Sequence, residues 1–212
     1  QLISSILAVS CVTVAFCSNF LMVQDKVTGA IRDLRITPVK PSTLSLSYYI
    51  ANLLSTLIIC FTAVALCLGY ATIVGWQYTI SEILLLCLDV VMLVLFGSAL
   101  SSVINFFLST QGQISSVGTM ISSGYGFLCG AYMPISSFST GLQRVISFLP
   151  GTYGTALVRN HAMGGALEEM EAIGIPAEVV NSMRDALDCN LYFFDNPVSI
   201  GAMYAILSIT IA

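Results

Sequence analysis

Predominantly apolar stretches of 20 or more residues recur along this chain, and nearly all charged residues are gathered in the stretches between. The apolar runs are Leu2 to Val23, Leu44 to about Ile73, Ile83 to Leu108, Ile114 to Met133, and a last run from Pro197 onward. In helical form 20 residues rise about 30 Å, enough to cross the hydrocarbon core of a bilayer. The pattern therefore predicts an all-α membrane protein, a polytopic helical bundle with about five transmembrane helices. The connections are Asp25 to Thr43, Val74 to Glu82, Ser109 to Gln113 and Pro134 to Asn196.

The last connection is patterned. From Pro134 to Pro150, Phe138, Leu142, Val145, Ile146 and Leu149 recur at helical spacing, which predicts a short helix lying in the membrane interface or dipping partway in. Pro176 suits the first turn of another helix, with Glu178 near its start and Val179, Val180, Met183 and Leu187 as its stripe. Glu168 and Glu169 read as a solvated helix face. In the short connection after the second run, Trp76 and Tyr78 suit an interfacial belt.

Charge then orients the bundle. Four of the seven Lys and Arg residues, Lys26, Arg32, Arg35 and Lys40, lie in the connection 25–43, and the other short connection beside the second run has none. Positive charge is retained on the cytoplasmic side, so 25–43 is predicted to face the cytoplasm and 134–196 to face out. Only 8% of residues are charged and 57% are hydrophobic, against about 25% charged in a soluble domain. Seven of the eleven acids fall between Glu168 and Asp195. The acidity is thus regional, and there is no basic field for nucleic acid.

Six of the seven cysteines (Cys11, Cys17, Cys60, Cys67, Cys87, Cys129) sit in apolar runs, where a thiol is a small hydrophobe. Cys189 lies in a polar stretch and reads as a free thiol or a link to another chain. No spacing suggests a disulfide framework or a metal. The chain reads as one domain, 1–212, continuing at both ends, with no visible internal repeat.

Few residues carry candidate chemistry. Ile31, Leu34 and Arg35 share one face of a short amphipathic helix that Pro38 and Pro41 would end; two readings fit it, a lipid-binding anchor and a docking site. Gly118, Ser122, Gly126 and Gly130 place small residues on one helix face, for packing within the chain or against a second copy. Asp89 is the one acid well inside an apolar run. An intramembrane acid is a functional candidate by default, but a protonated hydrogen bond to a neighbouring helix and a position near the interface compete with that reading. Asn105 reads as a packing or polar-gate residue. His161, the only histidine, has no evident partner in sequence and reads as solvated. There is no nucleophile with a base, and no GxxxxGK[ST] phosphate loop.

Asp25-Lys26, Gly29, Leu34 and Pro38, followed directly by an apolar run, resemble the cytoplasmic coupling segment of the type 2 ABC transporter permease family. Tyr132-Met133-Pro134-Ile135, then Leu149-Pro150, Tyr153, Ala156 and Arg159, look like that family's outer re-entrant segment. The resemblance covers nearly the whole chain, and one departure is Thr28-Gly29, where the family more often has Gly then Thr. It implies an exporter permease that moves a drug, a lipid or a lipid-linked glycan. Such a permease works as a homodimer or heterodimer, with an ABC ATPase held against Asp25, Lys26, Gly29, Arg32, Leu34, Arg35 and Pro38. It needs no cofactor of its own, because ATP and Mg belong to the partner ATPase. The second and fifth spans of the family flank the pathway, which makes Ser4, Asn19, Ser115, Thr119 and Ser123 possible pathway residues. The alternative is a transporter of another class, or a membrane sensor, whose basic loop only anchors lipid.

Overall fold

A computed structural model describes residues 2–36, 39–74, 78–193 and 196–211; Pro38 and Trp76 lie outside them. Helix α1 (Leu2–Thr28) is followed by the short α2 (Ala30–Ile36), then α3 (Pro41–Val74), α4 (Ile80–Phe107) and α5 (Gln111–Leu128). A 3₁₀ turn (Ile135–Ser137), α6 (Thr140–Ile146), α7 (Pro150–Ala172) and α8 (Ala177–Ala186) come next, and α9 (Ile200–Ile211) closes the described chain. A two-residue antiparallel ladder pairs Tyr192 with Pro197 and Phe193 with Asn196 just before α9.

Local chemistry sets the ends of these helices. Gly29 has φ +87°, a conformation open to glycine and costly for other residues, and it ends α1 as a C-terminal glycine does. At the start of α4 the Thr79 backbone N–H donates to Glu82 Oε2 at 2.8 Å. At the start of α5, Gln113 N donates to Thr110 Oγ1 at 3.3 Å and Thr110 N to Gln113 Oε1 at 3.2 Å, a reciprocal capping box. Past α5, the N–H groups of Ala131 and Tyr132 both reach Gly126 O, at 2.9 and 3.1 Å, with Gly130 at φ +70° in the turn.

Of the five predicted spans, α1, α3 and α4 are each long and apolar enough to cross a membrane. Helix α5 has 18 residues rich in Ser and Gly, and α9 has 12 apolar ones. Helix α1 also runs five residues beyond the expected end at Val23, taking Asp25 and Lys26 into its last turn. The largest departure is α7. Where a cap of short helices was expected, 23 residues form one helix, whose first half is buried through Tyr153, Ala156, Leu157 and Val158.

The core lies where α4 meets α1, α3, α7 and α9. Val12 and Phe16 of α1, Leu93 and Val94 of α4, Leu157 of α7 and Leu207 of α9 are all buried. Lipid tails are as apolar as these side chains, so close packing holds the helices together. Gly97 shows how close: a Cβ added there would lie 3.2 Å from Val12 Cα and 3.2 Å from Ala15 Cβ. Helix α3 packs on one side only, leaving Leu46, Ile50, Leu54 and Ile58 exposed on a face suited to lipid.

Candidate functional site

At the α2 end of the bundle, Asp25 accepts a hydrogen bond from the Tyr48 hydroxyl at 2.5 Å, which ties α1 to α3. One residue on, the Lys26 ammonium lies 5.9 Å from the centre of the Phe106 ring of α4, within cation–π range. Gly29 then turns the chain into α2, where Ile31 is buried while Arg32, Asp33 and Leu34 are exposed. The proposed coupling residues thus divide. Asp25 and Lys26 brace α1 against its neighbours, and Arg32 and Leu34 stand on the open surface of α2. Arg35 lies on α2 as well.

Of the possible pathway residues, Ser4 and Asn19 are buried inside the chain. Asn19 Nδ2 donates to Ser101 Oγ at 2.9 Å and to Ser102 Oγ at 3.1 Å, fixing α1 to α4. Ser115, Thr119 and Ser123 form an exposed row along α5. Thr119 and Ser123 turn their hydroxyls back onto the carbonyls four residues earlier, at 2.9 and 2.6 Å, which satisfies these polar groups within the helix. Asn105 is fully buried at the α2 end of α4.

The small-residue ridge does not continue as one helix face. Gly118 faces Phe20 of α1, with 3.1 Å from an added Cβ to its ring, whereas Gly126 lies under the chain's own Tyr132. Ser122 is exposed and bonds back to Gly118 O. Gly130 lies beyond the last residue of α5, in a left-handed turn. The four-residue spacing was read through a helix end that the sequence does not mark strongly.

Two buried polar clusters hold the opposite end. In the first, the Arg159 guanidinium donates to Leu187 O at 2.9 Å, Gly130 O at 2.7 Å and Ser5 Oγ at 3.2 Å, and lies 3.5 Å from Asp188. Asp188 in turn accepts from Ile135 N at 2.7 Å. One side chain on α7 thereby joins α1, the turn after α5 and the segment after α8. Burial pushes the Asp188 carboxyl up and the Arg159 guanidinium down, outweighing their mutual attraction in each case. Cys189 follows, a free thiol as expected, buried and with its thiol also pushed up by burial, a position that speaks against the alternative of a link to another chain.

In the second cluster, Asp89 of α4 is wholly buried, with its Oδ2 2.5 Å from His161 Nδ1 of α7 and its Oδ1 accepting from the Tyr204 hydroxyl of α9. His161 is therefore not the solvated residue the sequence suggested; its side chain is 12% exposed. Tyr78, expected in an interfacial belt, donates to Ala162 O at 3.0 Å and so docks against α7. Sequence separations of 72 and 115 residues hide this triad. Its one available signal was an acid in an apolar run.

The profile of the family described as ABC-2 family transporter protein matches residues 1–212, the whole of this chain. The chain belongs to this ABC-2 transporter family. It is a membrane permease component of an ABC-type transporter, and its long apolar helices place it in a membrane. Among curated proteins, none matches it at a significant level. Membership gives the ABC-2 chain a setting for its geometry: a short helix projecting at one end, and a polar-stapled set of helices at the other.

Proposed function

We propose that this ABC-2 chain is the permease of an ATP-driven exporter that moves a hydrophobic or amphiphilic substrate, a drug, a lipid or a lipid-linked glycan, across the cell membrane. It has five spans, α1, α3, α4, α5 and α9. The α2 end faces the cytoplasm, and the segment 134–196 faces out with α6 and the start of α7 re-entrant. It pairs with a second permease subunit, and each subunit receives an ABC ATPase at α2. The ATPase does the hydrolysis, so this chain needs no cofactor.

The observation that carries this reading is the placement of α2. Its exposed Arg32, Asp33 and Leu34 are offered to a partner, while the residues just before it grip α3 through Asp25–Tyr48 and α4 through Lys26–Phe106. A push on α2 would thus reach three helices at once. The uncharged, hydroxylic row of Ser115, Thr119 and Ser123 on α5 is compatible with a drug, a lipid or a lipid-linked glycan.

Co-purification of an ABC ATPase with the chain, and substrate-stimulated ATP hydrolysis in lipid vesicles, test the reading. Arg32→Gln with Arg35→Gln should weaken that association while leaving the chain folded. Full association and full stimulation in the double variant would reduce the loop to a lipid anchor and favour a transporter of another class.

A further inference from the structure

The Asp89 cluster has no part in docking or in the row along α5, and it is chemically the least ordinary group in the molecule. A carboxylate with no solvent exposure is bonded through both oxygens, to a histidine ring nitrogen and a tyrosine hydroxyl, where α4, α7 and α9 meet. We infer that Asp89, His161 and Tyr204 form a proton-binding site by which the pH of the outer water controls how firmly the outer segment is held to α4 and α9. Its consequence for transport rests on the exporter reading above.

The argument is one of charge balance in a medium of low dielectric. With one proton shared between Asp89 Oδ2 and His161 Nδ1, the pair is neutral as a whole, and a neutral hydrogen-bonded pair is tolerated at such depth. Removal of that proton leaves an anion on Asp89 with only a neutral imidazole and a phenol beside it. Histidine is the side chain whose ordinary titration falls in the physiological range, and the exposed edge of His161 gives the proton a route from water.

Among the described residues, Asp89 has no ion pair with a lysine or arginine that could replace that proton, and the further charges on α7, Glu168, Glu169 and Glu171, are acids. On α4, Glu82 packs beside Gly164 and Gly165 of α7 and is itself an acid. On α7, Arg159 is committed to Asp188 and to Gly130, Leu187 and Ser5. On α9 the facing group is Tyr204. Tyr78, which precedes α4, bonds the Ala162 carbonyl next to His161. Helices α1 and α3 carry no charged residue between positions 2 and 24 and between 41 and 74, only thiols such as Cys11 and Cys60 and the phenols Tyr48, Tyr49 and Tyr70. Helix α8, against α7, carries Glu178, Arg184 and Asp185. When the proton leaves, the neutral imidazole can still donate its remaining N–H to Asp89, but the junction of α4 and α7 then holds a buried anion with no compensating charge, and the outer segment loosens.

Two measurements test this. His161 is the one histidine of the sequence, so in a histidine-labelled sample in lipid nanodiscs its ring is followed by magnetic resonance and identified by its loss in His161→Gln. Its titration should change in Asp89→Asn and in the milder Tyr204→Phe; an unchanged titration in both overturns the site, whatever transport does. In vesicles holding the complete exporter with its ATPase, export should rise several-fold as the outer pH is raised from about 5.5 to about 8.5, and His161→Gln should flatten that rise. A flat wild-type profile, or a wild-type profile retained in His161→Gln, overturns the control by pH. Coupled titration in a protein that exports nothing with any ATPase would leave the proton site standing and count against the exporter reading alone.

Discussion

Arg159 and Asp188 place two formal charges where burial disfavours both, and each satisfies backbone groups around it, Arg159 the carbonyls of Leu187 and Gly130 and Asp188 the Ile135 N–H. Arg159→Ala strips bonds from Leu187 O, Gly130 O and Ser5 Oγ and takes from Asp188 the cation it pairs with. Removing one partner of a buried pair costs about 3–5 kcal/mol, so thermal unfolding in detergent should show a large loss, and a loss below about 1 kcal/mol would deny the cluster its structural role. Asp188→Asn should reveal a pH signature. Because burial raises the carboxyl above its ordinary 3.8 in the folded chain, folding favours the protonated form. That contribution is complete below the ordinary value and is lost as pH rises through the higher folded one. Wild type should therefore lose stability relative to Asp188→Asn as pH climbs from about 4 to about 7, read as the difference between their melting temperatures. Of these residues only Arg159 stood out in sequence, as the last residue of a motif. Its partner lies 29 residues on, past the rest of α7 and the whole of α8, at a distance that no local pattern encodes.

The element scale separates what periodicity can reveal from what only packing decides. Apolar runs located α1, α3 and α4 to within a few residues, since length and continuity suffice for a membrane helix. They did not locate α7, whose Thr152, Thr155 and Arg159 are buried and whose Asn160 and His161 are half-buried, all bonded within the protein, so it never reads as apolar. Nor did they find the close contact at Gly97, because a lone glycine in a long apolar run has no signature until its neighbour is known. Gly97→Leu should damage assembly by forcing α4 off the α1 backbone, at about 1–3 kcal/mol for overpacking. Gly126→Ala should be nearly neutral, since what it meets is the ring of Tyr132, which is 49% exposed and can swing out. Size-exclusion profiles and melting temperatures of the two variants would decide it; equal damage would contradict the packing described. For α2, Leu34→Pro should break the seven-residue helix, because proline in a helix interior costs about 3 kcal/mol and removes a backbone hydrogen bond. Hydrolysis by the partner ATPase should then continue without driving export.

At the scale of the whole molecule, two ends of different character are joined by a close-packed middle. The α2 end is basic; its polar ties are Asp25 with Tyr48 and Lys26 with Phe106, beside a small apolar cluster of Val23, Leu108 and Ile114. The other end is stapled by Arg159 and by the Asp89 triad across five or more segments of chain. Between them Gly97 and Asn19 lock α1 to α4, so that displacement at one end is passed on as movement of a rigid pair. This division has meaning only if the two ends lie on opposite sides of a membrane, which the charge pattern implies and which can be tested directly. Single cysteines at Arg32 and at Glu178, in a background without reactive thiols, should differ in intact cells. An impermeant thiol reagent should label position 178 from outside and reach position 32 only after the membrane is opened. Both positions are exposed, so burial cannot mimic protection. Labelling of position 32 in intact cells would invert the bundle, place α2 beyond the reach of any cytoplasmic ATPase, and remove the basis for energy entering the chain at that helix.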